Sequence, residues 1–471
     1  MSSVAFPVFP IDYWAEKKAQ VRSIVWEKGD STLLSSLSAT LSWQDLALLI
    51  DQAVTLIDFF AKNQPMIAYS GNHRFVGLLC YLGCLKSGRQ IMMLNPAMTA
   101  VQRQQVLSDN HIQVLMTDQD FAKIGENLTA CNLESKPDFL SRPATFTLTS
   151  GSSGKPKAII HSIAQHLANA RSVCDFIQFN EMSAWLLSLP LFHVSGQGIV
   201  WRWLSQGATL YLTEKKENVY SMLSQVSHAS LVPTQLQRYL AWLGEKKVSQ
   251  HILLGGASIP QELIKQAQQQ GITTYAGYGM TEMASTICAV KNDVDNVGKP
   301  LMNREVKIVG QEIWVRGESL ALGYWHKGAI LPLTNQEGWL ATKDRGRWNR
   351  DGKLEVLGRL DNMFISGGEN IQPEEIERTL SQHPQVHQIF IVPISDKEFG
   401  ERPVAVVEFS EPFNLQAVSS LQYFANHSLE KFKQPIRYLP LSREIEQGSG
   451  IKISRQQIKA YVAQQIRDHH V

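Results

Sequence analysis

Between Thr149 and Lys157 the chain reads Thr-Ser-Gly-Ser-Ser-Gly-Lys-Pro-Lys, a run of hydroxyls, glycines and cations suited to a polyphosphate. Gly151 and Gly154 let backbone approach an anion closely. Thr149, Ser150, Ser152 and Ser153 offer hydroxyl donors, and Lys155 or Lys157 brings positive charge. A kinase or GTPase loop would need Gly-x-x-x-x-Gly-Lys-Ser/Thr. Here two residues separate the glycines and Pro156 stands at the Ser/Thr position, which excludes that class. The same letters would also make a flexible linker. The strand-like alternation of Thr145 to Thr149 and the Lys-Pro-Lys that closes the run argue for a phosphate loop.

Other segments carry reactive side chains with less specific spacing. Tyr278-Gly-Met-Thr-Glu282 brings a phenol, a hydroxyl and a carboxylate together, and by its residues alone serves equally as a turn or a site. Leu254-Gly255-Gly256-Ala257 ends an apolar strand on two glycines. Asp344, two residues after Thr342, has the character of a turn or capping residue. Lys452 follows the pliant Gln447-Gly-Ser-Gly450, where a lysine either moves to a site or is simply solvated. Within Leu189 to Trp203, His193 reads as a gate or as a core residue; Ser195 and Gln197 share its segment. Arg202 sits in an apolar, aromatic stretch. A guanidinium buried there needs a carboxylate, whose geometry its fork matches, unless it turns to solvent or pairs with a structural Glu.

Thr149 to Lys157, Tyr278 to Glu282, Thr342 to Asp344, Gly358 to Glu369 and Gly450 to Ser454 stand in an order that resembles the adenylate-forming superfamily of acyl-CoA synthetases, luciferases and peptide-synthetase adenylation domains. The resemblance implies a role for each. The Ser/Gly loop would hold the β- and γ-phosphates. Tyr278, Gly279, Met280 and Thr281 would bind AMP, with Thr281 on the phosphate and Glu282 near Mg²⁺. Gly255, Gly256 and Ala257 would lie against adenine and ribose, Asp344 would hold the ribose hydroxyls, and Arg359 would face ribose or phosphate. Asp361 matches the hinge about which a small C-terminal domain rotates. Lys452 matches the lysine carried to the α-phosphate for the first half-reaction, and Ser366, Gly367 and Gly368 match the loop brought in for the second. Ser153 replaces a common Thr and Ala158 a common Gly, departures that leave the chemistry intact.

Within that superfamily, Gly196-Gln-Gly-Ile-Val-Trp-Arg-Trp203 and Ile451-Lys-Ile-Ser-Arg455 resemble the o-succinylbenzoate:CoA ligases of menaquinone biosynthesis. This implies ATP-dependent joining of o-succinylbenzoate to coenzyme A through an acyl-adenylate, with Mg²⁺, releasing AMP and pyrophosphate. The acid is a dicarboxylate: while its succinyl carboxylate reacts, its aromatic carboxylate must be neutralised, and Arg202 is the candidate. A CoA ligase for another aryl or fatty acid stays open, as does a stand-alone adenylation enzyme loading a carrier protein. A binding module that lost catalysis fits poorly with the retained serines, Glu282 and Lys452.

These residues need a framework. Strand-like runs at Met66 to Tyr69, Ile91 to Leu94, Gln113 to Thr117, Trp185 to Leu189, Thr209 to Leu212, Leu231 to Val232 and Ile252 to Leu254 alternate with helical stretches, the pattern of α/β layers. Ser42-Trp-Gln-Asp45 is a near capping box before a helical run from Leu46 to Phe60. After Val297, strands such as Ile313 to Val315 and Leu354 to Val356 indicate a β-rich subdomain with a turn at Asp351-Gly352. Beyond Arg359 a new set begins: a helix from Pro373, strands Ile389 to Pro393 and Val404 to Phe409, and a last helix from Ser454. The expected fold is α/β, with mixed sheets flanked by helices and a β-rich subdomain in residues 1–360, and a small mobile α+β domain in residues 361–471.

The whole chain sets outer bounds. Its 471 residues exceed the roughly 250 to 300 at which one core stops growing. Hydrophobic residues at 44% and charged residues at 19% fit a globular protein. A net charge of +2 provides no global field for nucleic acid or membrane, so neither is expected as a partner. The N-terminus lacks a basic signal region and Val76 to Leu85 is too short to span a bilayer, so the expected location is cytoplasmic. Cys80, Cys84, Cys131, Cys174 and Cys288 are read as reduced thiols, and Cys80 and Cys84 as buried packing residues. The partners are a small carboxylic acid, ATP and CoA; homo-oligomerisation stays open.

Overall fold

The computed structural model describes residues 5–29, 33–125, 138–149, 156–255, 259–442 and 453–468. The calls on Ser150, Gly151, Ser152, Ser153, Gly154, Lys155, Gly256, Ala257 and Lys452, and that on Cys131, lie outside the described residues. Local signals act where the sequence places them. Ser42 caps Trp43–Ala61 with a full capping box: Asp45 N donates to Ser42 Oγ at 3.1 Å and Ser42 N donates to Asp45 Oδ2 at 2.9 Å. The same device, Ser162 with Gln165, starts the Ile163–Ile177 helix.

A seven-stranded sheet contains Met66–Tyr69, Gln90–Met93, Val114–Met116 and Pro143–Thr149 as parallel neighbours. Lys157–Ser162 returns antiparallel beside Pro143–Thr149, with Thr149 opposite Lys157. The strand before the Ser/Gly segment is therefore followed by another strand and not by a helix, in keeping with the exclusion of a kinase-type loop. Gly323–His326 then pairs with Lys157–Ser162 and brings Tyr324 opposite Ile159.

The nine-stranded sheet places Ile272–Met280, Gln250–Leu254, His228–Leu231, Ala184–Leu186, Thr209–Thr213 and Arg22–Glu27 side by side and parallel. Ser285–Lys291 and Lys299–Pro300 continue it antiparallel. Parallel α/β sheets collect their sites beyond the carboxyl ends of strands. Gly255 follows one such end and Thr281 another. Two strand readings shift: the strand expected at Leu231 to Val232 is His228–Leu231, because Pro233 opens the next helix and Val232 becomes its cap. Tyr278 to Met280 finish a strand and form no turn.

Arg304–Val309, Glu312–Gly317, Leu340–Trp348 and Leu354–Arg359 form the antiparallel β-rich part. From Phe364 onward a further sheet carries the helices Pro373–Leu380, Leu415–Ser428 and Arg455–Asp468. Two hydrophobic clusters drawn only from residues after Met363 fill that part, one around Ile376, Ile391 and Leu421, the other around Val392, Val406 and Ile458. The architecture is α/β, with mixed, helix-flanked sheets followed by an α+β segment. Cys80, Cys84, Cys174 and Cys288 are buried and free of disulfides. Among the described residues, no helix is long and apolar enough to cross a membrane.

Candidate active site

Where Ile272–Met280 ends, a short 3-10 turn, Thr281–Met283, carries Thr281 and Glu282. Tyr324 donates its hydroxyl to Glu282 Oε1 at 3.1 Å, and the same ring lies 5.2 Å from Lys157 Nζ. Burial raises the carboxyl of Glu282, an effect opposed by the Tyr324 bond and by the Arg359 cation. Tyr278 donates to Asp344 Oδ2 at 2.6 Å, and Arg359 Nη1 lies 3.3 Å from Asp344 Oδ1. Burial likewise raises Asp344, opposed by those two partners. Arg359 also grips Asp361 with two bonds of 3.0 Å, which hold the Asp361 carboxyl below its ordinary value. Tyr278, Asp344, Arg359 and Asp361 thus form a continuous polar chain from the strand end to the expected hinge. No group of three or more metal-ligating side chains occurs among the described residues. Mg²⁺ takes one or two carboxylates and completes its shell with phosphates and water. The single, poorly solvated carboxylate of Glu282 fits that need.

The second half of the site is built on the Val194–Gln206 helix, whose N-cap is His193. His193 and Ser195 are half-buried there, with Phe192 and His193 rings 4.6 Å apart. Gln197 is engaged by the fold: its amide donates to Leu191 O at 3.0 Å and Thr147 Oγ1 at 3.1 Å, tying the helix to the strand that leads into the phosphate segment. Arg202 is 1% exposed. The hydrogen bonds of its guanidinium among the described residues are long ones of 3.4 Å, to Ser230 Oγ and Ser285 Oγ, and its Nε has none. No carboxylate pairs with it among the described residues. The guanidinium stacks 5.2 Å from the Trp185 ring, whose Nε1 also lacks an acceptor among the described residues. Burial pulls the Arg202 guanidinium down to about 10. Gly198 leaves it room, since a Cβ there would stand 3.2 Å from Arg202 Nη2. A buried guanidinium held by two long hydrogen bonds, with its Nε unpartnered among the described residues, has the chemistry to receive an anionic group.

The structure thus brings Thr281, Glu282, Tyr278, Asp344 and Arg359 together, and joins Arg202 to them through Ser285, which pairs with Met280 across two strands. Ser366, Gly367 and Gly368 turn a hairpin held by Gly367 N donating to Phe399 O at 2.9 Å. Sequence reading missed Tyr324, Trp185, Ser230 and Ser285. Tyr324 stands in an uncharged run with no motif to mark it, and Ser285 lies 83 positions from the arginine it meets.

Residues 25–325 match the family model described as AMP-binding enzyme. The chain is 47% identical over 429 residues to the 2-succinylbenzoate–CoA ligase of Haemophilus influenzae, covering 90% of this chain and 93% of that one. It is similar to a structure of an arginine-to-lysine variant of E. coli MenE with bound OSB-AMS, at 39% identity and a TM-score of 0.84, covering 98% and 99% of the two chains. The fold is shared with the Bacillus subtilis o-succinylbenzoate coenzyme A synthetase in complex with ATP and magnesium ion, at 24% identity and a TM-score of 0.80, covering 93% and 96%.

Proposed function

The chain belongs to the AMP-binding enzyme family, and from that premise we propose that its reaction is that of its 2-succinylbenzoate–CoA ligase relatives. It joins o-succinylbenzoate to coenzyme A, using ATP, in menaquinone biosynthesis. In the first half-reaction the succinyl carboxylate attacks the α-phosphorus of ATP, forming the acyl-adenylate and expelling pyrophosphate. In the second, the CoA thiol attacks the acyl carbonyl, giving the thioester and AMP.

The buried Arg202, which pairs with no carboxylate among the described residues, carries the choice of acid. A long fatty acid would offer that guanidinium nothing, whereas the aromatic carboxylate of o-succinylbenzoate supplies both charge and a bidentate acceptor. Held there, the acid presents its other carboxylate toward Thr281 and Glu282. Asp344 takes the ribose hydroxyls, with Tyr278 and Arg359 fixing the carboxylate; Thr281 and Lys157 meet phosphate, together with Thr149 and the Ser150 to Gly154 segment. Gly255, Gly256 and Ala257 border the adenine, and His193 gates the acyl group beside Ser195. Glu282 would hold Mg²⁺, which when bound neutralises charge on the phosphates.

Residues 1–360 bind ATP and acid, and residues 361–471 turn about Asp361. That rotation brings Lys452 to the α-phosphate and then exchanges it for Ser366, Gly367 and Gly368, whose lack of bulk admits the pantetheine arm. The separate hydrophobic clusters after Met363 support this division. The reaction belongs in the cytoplasm, where ATP and CoA reside. Exchange of labelled pyrophosphate into ATP, measured without CoA, tests the first half-reaction. Exchange should depend on o-succinylbenzoate; exchange that ignores the acid would contradict the proposal.

A further inference from the structure

Just after Glu282 the backbone takes two conformations that L side chains seldom adopt: Ala284 has φ 53° and Ser285 has φ 121°. This turn joins the two halves of the site in the chain. Thr281 and Glu282 precede it, and Ser285 at its far end meets Arg202. Backbone of this kind persists only where its surroundings over-determine it. Gly279 permits the close approach from one side, because a Cβ there would lie 2.0 Å from Ser285 O.

From the other side comes an amide side chain. Asn169, on the Ile163–Ile177 helix, is 1% exposed and gives both hydrogens of its amide across the turn, to Met283 O at 2.9 Å and Thr286 O at 3.0 Å. These two carbonyls bracket Ala284 and Ser285, and facing two acceptors fixes which end of the amide points at them. Its Oδ1 accepts from no group among the described residues, so the amide is placed for its donors. Arg304 anchors the same helix turn, donating to Asn169 O at 3.4 Å and to Ser172 Oγ.

We propose that Asn169 is a positioning residue for both halves of the site. By tying Met283 to Thr286 it fixes the strained Ala284–Ser285 turn, and so sets Thr281 and Glu282 toward the nucleotide and Ser285 and Arg202 toward the acid in one relation. The inference rests on the ligase function proposed above. It assigns Asn169 an effect on two substrates, neither of which it touches.

The test uses the full chain with Asn169→Ala, Asn169→Asp, Ala284→Gly and the double variant N169A/A284G. Aspartate keeps the size of Asn169 but cannot donate, and glycine adopts positive φ without strain. Asn169→Ala and Asn169→Asp should each lower kcat/KM for both ATP and the acid by about tenfold or more. Ala284→Gly alone should stay near wild type, and in the double variant it should restore much of the loss. A lowered melting temperature with unchanged kinetic constants would overturn the inference. So would a loss confined to one substrate, or a double variant no better than Asn169→Ala. If Asn169→Ala does not fold, Asn169→Asp with and without Ala284→Gly decides the same question. Absence of turnover in the wild-type chain would instead overturn the underlying function.

Discussion

A guanidinium taken out of water without a carboxylate destabilises the protein that holds it, and Arg202 meets none among the described residues, so it is placed against the interest of folding. Replacing it by an apolar side chain of similar length should therefore cost nothing in stability. We expect Arg202→Met to melt no lower than wild type, while its KM for o-succinylbenzoate rises about tenfold to a hundredfold, the loss of a charge-assisted pair. Calorimetry and steady-state kinetics on one preparation check both halves, and a variant that melts lower with KM unchanged would make Arg202 structural. Sequence alone marks this residue, because a lone cation in Trp-Arg-Trp has to be explained. It does not mark the long bonds to Ser230 and Ser285, which come from 28 and 83 positions away. Serines carry no pattern that tells a pocket wall from a loop, and neither Asn169 nor Tyr324 stands out from its helix or strand.

At the scale of elements, local rules are legible and junctions less so. The capping box at Ser42 and the glycine turn at Gly352 act as their chemistry dictates, since both are satisfied by near neighbours in the chain. The end of Ile272–Met280 looks like a turn from its glycines, but Ser285–Lys291 pairs with it and keeps it extended. The proposed exchange of catalytic groups between half-reactions also belongs to this scale. In the proposed mechanism Lys452 serves adenylation only, so Lys452→Ala should lose acyl-adenylate formation by at least about a hundredfold, as expected when a group acting on the transition state is removed. Thioester formation from presynthesised acyl-AMP should remain near wild type. Rapid-quench assay of the two steps checks this, and equal loss in both would remove the lysine from its assigned role.

The molecule as a whole should be acid-sensitive. Burial lowers His161 to about 3 and His228 to about 4, and holds His166 well below its ordinary value. In the unfolded chain these imidazoles take up protons near pH 6.5. Below that pH the unfolded state binds more protons than the folded one, so stability is complete above about 6.5 and falls as pH drops, by about 1.4 kcal/mol per unit for each such histidine until its folded value is reached. Buried carboxyls such as Glu377, raised by desolvation, act in the opposite sense, so the check is differential: in urea unfolding between pH 7 and pH 5, His161→Leu should reduce the wild-type pH slope by one histidine's share, and an unchanged slope would contradict the burial argument. The α/β class and the β-rich part were legible in alternating patterns. The pairing of nine strands was not, since register between distant segments is set by packing. The claim that unites these scales is that this site activates an aromatic dicarboxylate for CoA. Its most direct test is thioester formation by the purified chain with ATP, Mg²⁺, CoA and a panel of o-succinylbenzoate, benzoate, cinnamate and fatty acids. The account predicts strong preference for o-succinylbenzoate with matching AMP release; equal or better turnover of an acid that lacks the second carboxylate would contradict it.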